Sequence, residues 1–289
     1  MITDSGLGGL SVCAGLENAL LDRDLGYGVE ILYVNATPDD RLGYNALGSQ
    51  QERIDLFNAF LKASYARFLP DKIAIACNTL SVIYEQTDFA GQDLVEVKGI
   101  VDAGIEILQA SLEAQSDHHL IIFATETTTE ANTYPASLSI EPTRISAQAC
   151  PELAHAISVD ASGEMCHRLL SGYVDQALQR LPRIPDKALV FLGCTHYGYQ
   201  AEVFRALIKD QGSSATLLNP NDRLVDQLIT QFEGVTPLST SPLEVRLLSR
   251  YPIPVAEIDS MRSYLKGSAP LTLSALQNHQ VVPDLFARP

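Results

Sequence analysis

The feature that most constrains this chain is the alternation of short apolar runs with amphipathic segments. Val29 to Val34, Ile73 to Ala76, Leu120 to Phe123, Ala188 to Leu192 and Ala215 to Leu218 read as buried strands. Weaker strand signals cover Leu94 to Val97, Thr143 to Ala147 and Val245 to Leu248. Helical patterns lie between them. Leu10 to Leu21, Val101 to Leu112, Ala201 to Lys209 and Val255 to Leu265 are continuous examples. In another, Ile54, Phe57, Leu61, Tyr65 and Phe68 recur at spacings of three and four and share one stripe. Strands that alternate with helices in this way form parallel sheets through right-handed crossovers. The expected fold class is α/β, and its ligands bind beyond the carboxyl ends of the strands.

Asp4, Cys77, Thr125 and Cys194 all fall at such ends. Two of these positions share a context: Ala76-Cys77-Asn78-Thr79 and Gly193-Cys194-Thr195-His196 each follow a strand and precede a helical segment. The partial positive charge of a helix N-terminus favours thiolate, so each thiol is expected below its usual pKa of about 8.5. Two matching cysteines suggest two half-sites facing one cleft. Such a pair suits inversion of a carbon centre: one thiolate removes a proton from one face, and the opposite thiol returns a proton to the other. The turn Asp4-Ser5-Gly6-Leu7-Gly8-Gly9 lets the backbone approach a ligand. Asn78, Thr79 and Thr195 are candidates to hold a carboxylate, and Asp4 and His196 to tune the thiols or relay protons. Blander readings stand beside these: inert core cysteines, Asp4 as a helix cap, an ordinary surface His196, and capping by the threonines from Thr125 to Thr129.

Composition excludes several classes. At 289 residues the chain has room for two lobes, and its formal charge of -15 argues against nucleic acid or an anionic membrane as partner. No apolar run approaches the roughly 18 residues that span a bilayer. The start, Met1-Ile2-Thr3-Asp4, lacks the basic region and apolar core of a signal peptide, and so short a first strand suggests a few upstream apolar residues. Five scattered cysteines without a CxxC suit free thiols in a reducing cytoplasm, with Cys13 and Cys166 as small core residues. No HExxH or Walker loop points to a metal or nucleotide.

Taken together, Asp4 to Gly9, Ala76-Cys77-Asn78-Thr79, Thr125 to Thr128, Ala149-Cys150-Pro151 and Leu192-Gly193-Cys194-Thr195-His196-Tyr197 resemble the glutamate racemases of the aspartate/glutamate racemase superfamily. The resemblance implies two pseudo-symmetric α/β lobes, each a mostly parallel sheet flanked by helices, with the active site between them. Residues 1–98 and 215–289 would form the first lobe and 99–214 the second. It implies interconversion of L- and D-glutamate without pyridoxal phosphate, metal or other cofactor, in the service of cell-wall peptidoglycan synthesis, and is compatible with a homodimer. Cys77 and Cys194 would be the two acid/base thiols, with Asp4 assisting one and His196 the other. Ser5, Asn78, Thr79, Thr125, Thr128 and Thr195 would contact the substrate, together with the loop Gly43-Tyr44-Asn45. This chain departs from the family there: Gly43-Tyr44-Asn45 stands for Pro-Tyr-Gly, a swap expected to alter the local backbone. Two residues are added before Arg41, Ser158 replaces an acidic residue, Ala131 replaces a serine, and the tail after Gly267 is long. Those departures keep two alternatives open: a related isomerase or decarboxylase of another small acid, and a non-catalytic binding protein on the same scaffold.

Overall fold

The computed structural model describes residues 1–21, 28–39, 43–230 and 243–288. In chain order its elements are β1 (Ile2–Asp4), α1 (Leu10–Leu21), β2 (Val29–Asn35), α2 (Gln50–Phe68), β3 (Lys72–Ile75), α3 (Asn78–Tyr84), β4 (Glu96–Gly99) and α4 (Ile100–Ala114). Then come β5 (His119–Ala124), α5 (Glu126–Ala131), α6 (Thr133–Ala136), β6 (Ile145–Ala149), α7 (Leu153–Asp160), α8 (Glu164–Gln179), β7 (Lys187–Gly193), α9 (Ala201–Asp210) and β8 (Ser214–Leu218). The chain ends with α10 (Pro220–Ile229), β9 (Leu243–Ser249), α11 (Val255–Leu265), α12 (Pro270–Gln277) and β10 (Gln280–Val281).

The strands form a six-stranded sheet, β10-β9-β2-β1-β3-β4, and a four-stranded sheet, β6-β5-β7-β8. Every pairing among the described strands is parallel. The two sheets repeat one order. In the first, the chain goes from β1 out to β2, then returns to the other side of β1 for β3 and β4; β5, β6, β7 and β8 do the same in the second. Each reversal opens a crevice at the strand ends, between β1 and β3 in one sheet and between β5 and β7 in the other. Cys77 and Cys194 therefore sit at equivalent places, each just beyond the third strand of its sheet.

Two features differ from expectation. Ser214–Leu218 pairs with β7, from Lys187↔Ser214 to Phe191↔Leu218. The return toward the first sheet thus falls after residue 218, not near 215. The long tail also carries secondary structure: α12 packs against β9 and α1, and β10 extends the first sheet at its edge. Prolines hide two of the helices in the sequence. Pro220 and Pro270 each open a helix, where the missing N–H costs nothing. Among the described residues no helix is long and apolar enough to cross a membrane.

The tail is fastened by a buried carboxylate. Glu17 of α1 is fully buried and accepts hydrogen bonds from the N–H groups of Leu271 and Thr272 at 2.8 and 2.7 Å. The Thr272 hydroxyl adds a third at 2.7 Å. Glu17 thus caps α12 from another element, satisfying donors that a helix start leaves open. Replacing Glu17 with Ala strands those amides in an apolar core. Equilibrium denaturation should show Glu17→Ala less stable by about 3 kcal/mol, with Glu17→Gln losing less because its carbonyl still accepts. Unchanged stability in Glu17→Ala would contradict this fastening role.

Candidate active site

Both crevices open into one cleft of about 800 Å³, and Cys77 and Cys194 both line it. A cross-sheet hydrogen bond closes its floor. The Thr195 hydroxyl, beyond β7, donates to Asp4 Oδ2, beyond β1, at 2.9 Å. The other oxygen, Asp4 Oδ1, accepts from the Gly6 N–H at 3.0 Å, turning the chain sharply into α1. Close approach there requires glycine: a Cβ on Gly8 would lie 2.2 Å from Thr195 Oγ1 and 2.5 Å from His196 Nδ1.

Each thiol has a polar neighbour. Cys77 Sγ lies 3.1 Å from Ser5 Oγ. Cys194 Sγ lies 3.8 Å from His196 Nδ1, and His196 Nε2 lies 2.9 Å from Ser158 Oγ on α7. His196 thus stands beside Cys194. Asp4 is hydrogen-bonded to Thr195 and Gly6; no hydrogen bond joins it to Cys77 among the described residues.

The wall beyond Cys77 is built from neutral donors. Asn78 Oδ1 accepts from the Tyr134 hydroxyl at 2.5 Å. Asn78 Nδ2 and the Tyr44 hydroxyl are buried without a hydrogen-bond partner among the described residues, and both side chains belong to the cleft lining. Buried donors without acceptors are costly, so both are suited to an acceptor that arrives with a ligand. Thr79 and Thr125 face one another across the sheets at 2.8 Å, and Thr125 caps α5. Asn45 Oδ1 accepts from the Thr127 hydroxyl at 2.7 Å, a second bridge that the sequence did not announce. Arg53 holds the loop from beneath, donating to the carbonyls of Tyr44, Asn45 and Leu47 at 3.0, 3.4 and 3.2 Å.

Three expectations need correction. Thr128 is not among the described cleft-lining residues; its hydroxyl accepts from Thr125 Oγ1 at 3.0 Å, one helical turn behind the surface. Gly43 has φ −83 and ψ 175, close to the φ that proline enforces, so the glycine imposes no unusual backbone. Arg41 and Leu42 lie outside the described residues. The third correction concerns the thiols. Burial pushes the Cys77 pKa up to about 12 and that of Cys194 well above its ordinary value, with the Asp4 carboxylate acting in the same direction. Helix ends do not offset this. The helix after Cys77 has only seven residues, and Thr195–Gln200 after Cys194 is a 3-10 turn. A helix terminus contributes about 0.3–1 kcal/mol, too little against full desolvation.

Burial acts on the neighbours as well. It raises Asp4 to about 6, against the hydrogen bonds from Thr195 and Gly6. It lowers His196 to about 4, so the imidazole is neutral across the physiological range. Glu126, Glu152, His155 and Glu257 add ionisable groups to the cleft lining.

No family model matches the chain, but whole proteins do. A glutamate racemase from Phenylobacterium zucineum is 28% identical over 289 residues, covering 92% of this chain and 89% of the relative. One from Shewanella woodyi is 30% identical over 200 residues, covering 68% of each. Among solved structures, glutamate racemase from Francisella tularensis in complex with D-glutamate superposes with a TM-score of 0.69 at 20% identity, covering 93% of both chains.

The pKa of Asp4 has a consequence for stability. Its folded value of about 6 lies above its ordinary 3.8, so the folded state holds this proton more tightly than the unfolded state. That contribution is complete below about pH 4 and is lost as pH rises through 6. Asp4→Asn keeps an acceptor for Gly6 and escapes this loss. The variant should therefore be more stable than the parent at pH 7, by at most about 3 kcal/mol, and the gap should close near pH 4. Thermal denaturation across that range checks it; a gap independent of pH would refute it.

Proposed function

The chain belongs to the glutamate racemase family and is an amino-acid racemase, and we propose that it interconverts L- and D-glutamate through proton transfer between Cys77 and Cys194. The observation that carries this reading is the equivalent placement of the two thiols beyond β3 and β7, on one cleft. The relative from Francisella tularensis, solved with D-glutamate, supports a small acidic amino acid as ligand.

The chemistry follows from the charges. Both thiols are held protonated by burial in the open cleft. A substrate ammonium brings positive charge beside the sulfurs and lowers the cost of one thiolate, whose proton is released to solvent as the substrate binds. That thiolate takes the α-proton from one face of the carbon. The opposite thiol gives its proton to the other face, leaving the inverted amino acid and the two sulfurs with exchanged roles. The carboxylates need donors where negative charge grows. Asn78 Nδ2 and the Tyr44 hydroxyl supply two, and Ser5, Thr79, Thr125 and Thr195 line the same space. Gly43 and Asn45 complete the wall. D-glutamate made in this way would feed peptidoglycan synthesis.

A second reading, racemisation of a different small acid, is favoured by one observation. Asn45 stands where the family motif has glycine, and its side chain is spent on Thr127. This bridge stands on the loop side of the cleft, where it bears on which acids fit.

In deuterated water each enantiomer should yield its mirror image with deuterium at the α-carbon. Cys77→Ser and Cys194→Ser should each lower kcat by about 10²-fold or more, the range of a lost acid/base group. Full activity in both variants would end the two-thiol mechanism. Turnover of another acid in preference to glutamate would select the second reading.

A further inference from the structure

Both ring nitrogens of His196 are engaged, and they face different partners. Nδ1 looks toward the sulfur of Cys194 at 3.8 Å, and Nε2 meets the hydroxyl of Ser158 at 2.9 Å. The imidazole is clamped as well as bonded. It is 6% exposed, and the space over its Nδ1–Cε1 edge admits no atom at Gly8: a Cβ there would lie 2.5 and 2.8 Å from those two atoms. With the ring in this orientation, the remaining variable is which nitrogen bears the proton. A neutral imidazole has one N–H, and the hydrogen bond at one nitrogen sets the state of the other.

Ser158 can settle that choice. It is 7% exposed on α7, and among the described residues His196 Nε2 is the one hydrogen-bond partner of its hydroxyl. The hydroxyl proton therefore has an acceptor only if Nε2 is bare. Were Nε2 protonated, it would donate to the Ser158 oxygen, and the hydroxyl proton would turn away from the ring with no partner among the described residues. Resting on the two-thiol reading above, we propose that Ser158 is a positioning residue: its hydroxyl donates to Nε2 of His196, so that the imidazole carries its proton on Nδ1 and presents an N–H to the sulfur of Cys194.

The arrangement acts on one thiol. A neutral N–H aimed at sulfur favours the charged form of Cys194 without adding a formal charge to the cleft. When Cys194 takes the α-proton, the N–H stays on Nδ1 and the contact weakens. When Cys194 gives its proton to carbon, the same N–H meets the new thiolate. No proton moves on the imidazole in either direction, so the histidine acts as a fixed dipole and not as a relay.

Nitrogen-15 NMR of the imidazole, with His196→Gln used to assign the signal, reads the tautomer directly and independently of turnover. The expected spectrum of the parent protein near pH 7 shows Nδ1 protonated and Nε2 bare. Ser158→Ala should lose that pattern and lower kcat about tenfold or more, and Ser158→Thr, which keeps the hydroxyl, should retain the pattern and restore most of the rate. A proton on Nε2 in the parent protein overturns the assignment, and this result needs no variant to fold. The parent tautomer unchanged in Ser158→Ala, or kcat within twofold of the parent, also overturns it. The expected tautomers in a protein that fails to racemise would uphold Ser158 and remove the two-thiol function instead.

Discussion

One hydrogen bond ties the two halves of this molecule at the point where they must meet. Thr195 follows β7 of one sheet and Asp4 ends β1 of the other, and their side chains join at 2.9 Å across 191 residues of sequence. Neither sheet alone would hold the proposed site, since each contributes one of its two thiols. Further bonds between the two halves, Thr79 with Thr125, Asn45 with Thr127 and Tyr134 with Asn78, stand along the same opening. On another flank α11 packs on α7, where the Ser260 hydroxyl donates to the Ile157 carbonyl at 2.9 Å. The cleft is thus bordered by polar contacts that are directional and each worth about 1 kcal/mol. The apolar core beneath runs on from α1 and β2 through β5 and β7 to α8. Core burial holds the lobes together, and the polar bridges fix how they face.

The same enclosure decides the electrostatics. Desolvation is the largest influence on Asp4, Cys77, Cys194 and His196, and in every case it favours the neutral form. Under the proposed mechanism the site must hold an anionic sulfur, and burial opposes this until the ligand enters. In the proposed reaction charge enters with the ligand, whose ammonium would compensate the thiolate and whose carboxylates would meet the unpartnered Asn78 Nδ2 and Tyr44 hydroxyl. Binding and acid/base activation would then be one event. A thiol that ionises only beside its substrate is also protected from reactions that need a free thiolate.

Much of this was legible in the sequence, for physical reasons that differ by residue. Parallel α/β topology follows from alternation of apolar strands and striped helices, a short-range signal. Cys77 and Cys194 stand out because a strand end followed by a polar turn is itself local. Thr125 was open between capping and lining, and it does both. What the sequence hid is long-range or quantitative. Thr127, Arg53 and Glu17 earn their roles from partners far along the chain. The Thr128 assignment failed because a residue three positions beyond a cap is turned inward by the helix. The thiol shift failed in sign because a helix terminus can be seen in a sequence and depth of burial cannot.

Serine at position 158 makes sense in the same terms. A carboxylate there would accept the Nε2–H of His196, move the proton off Nδ1, and leave a lone pair facing the Cys194 sulfur. It would also place another negative charge beside a cleft already lined by Asp4, Glu126, Glu152 and Glu257. Inside a desolvated site, like charges interact far more strongly than in water, and a dicarboxylic substrate brings two more. A hydroxyl meets the geometric need of the imidazole without adding to that repulsion. The trade is strength for neutrality: a hydroxyl hydrogen bond is about half as strong as a charge-assisted one. The ring can tolerate the weaker bond because packing already confines it: a Cβ on Gly8 would clash with its Nδ1–Cε1 edge. Steric confinement here does part of the orienting that a carboxylate would otherwise do by charge.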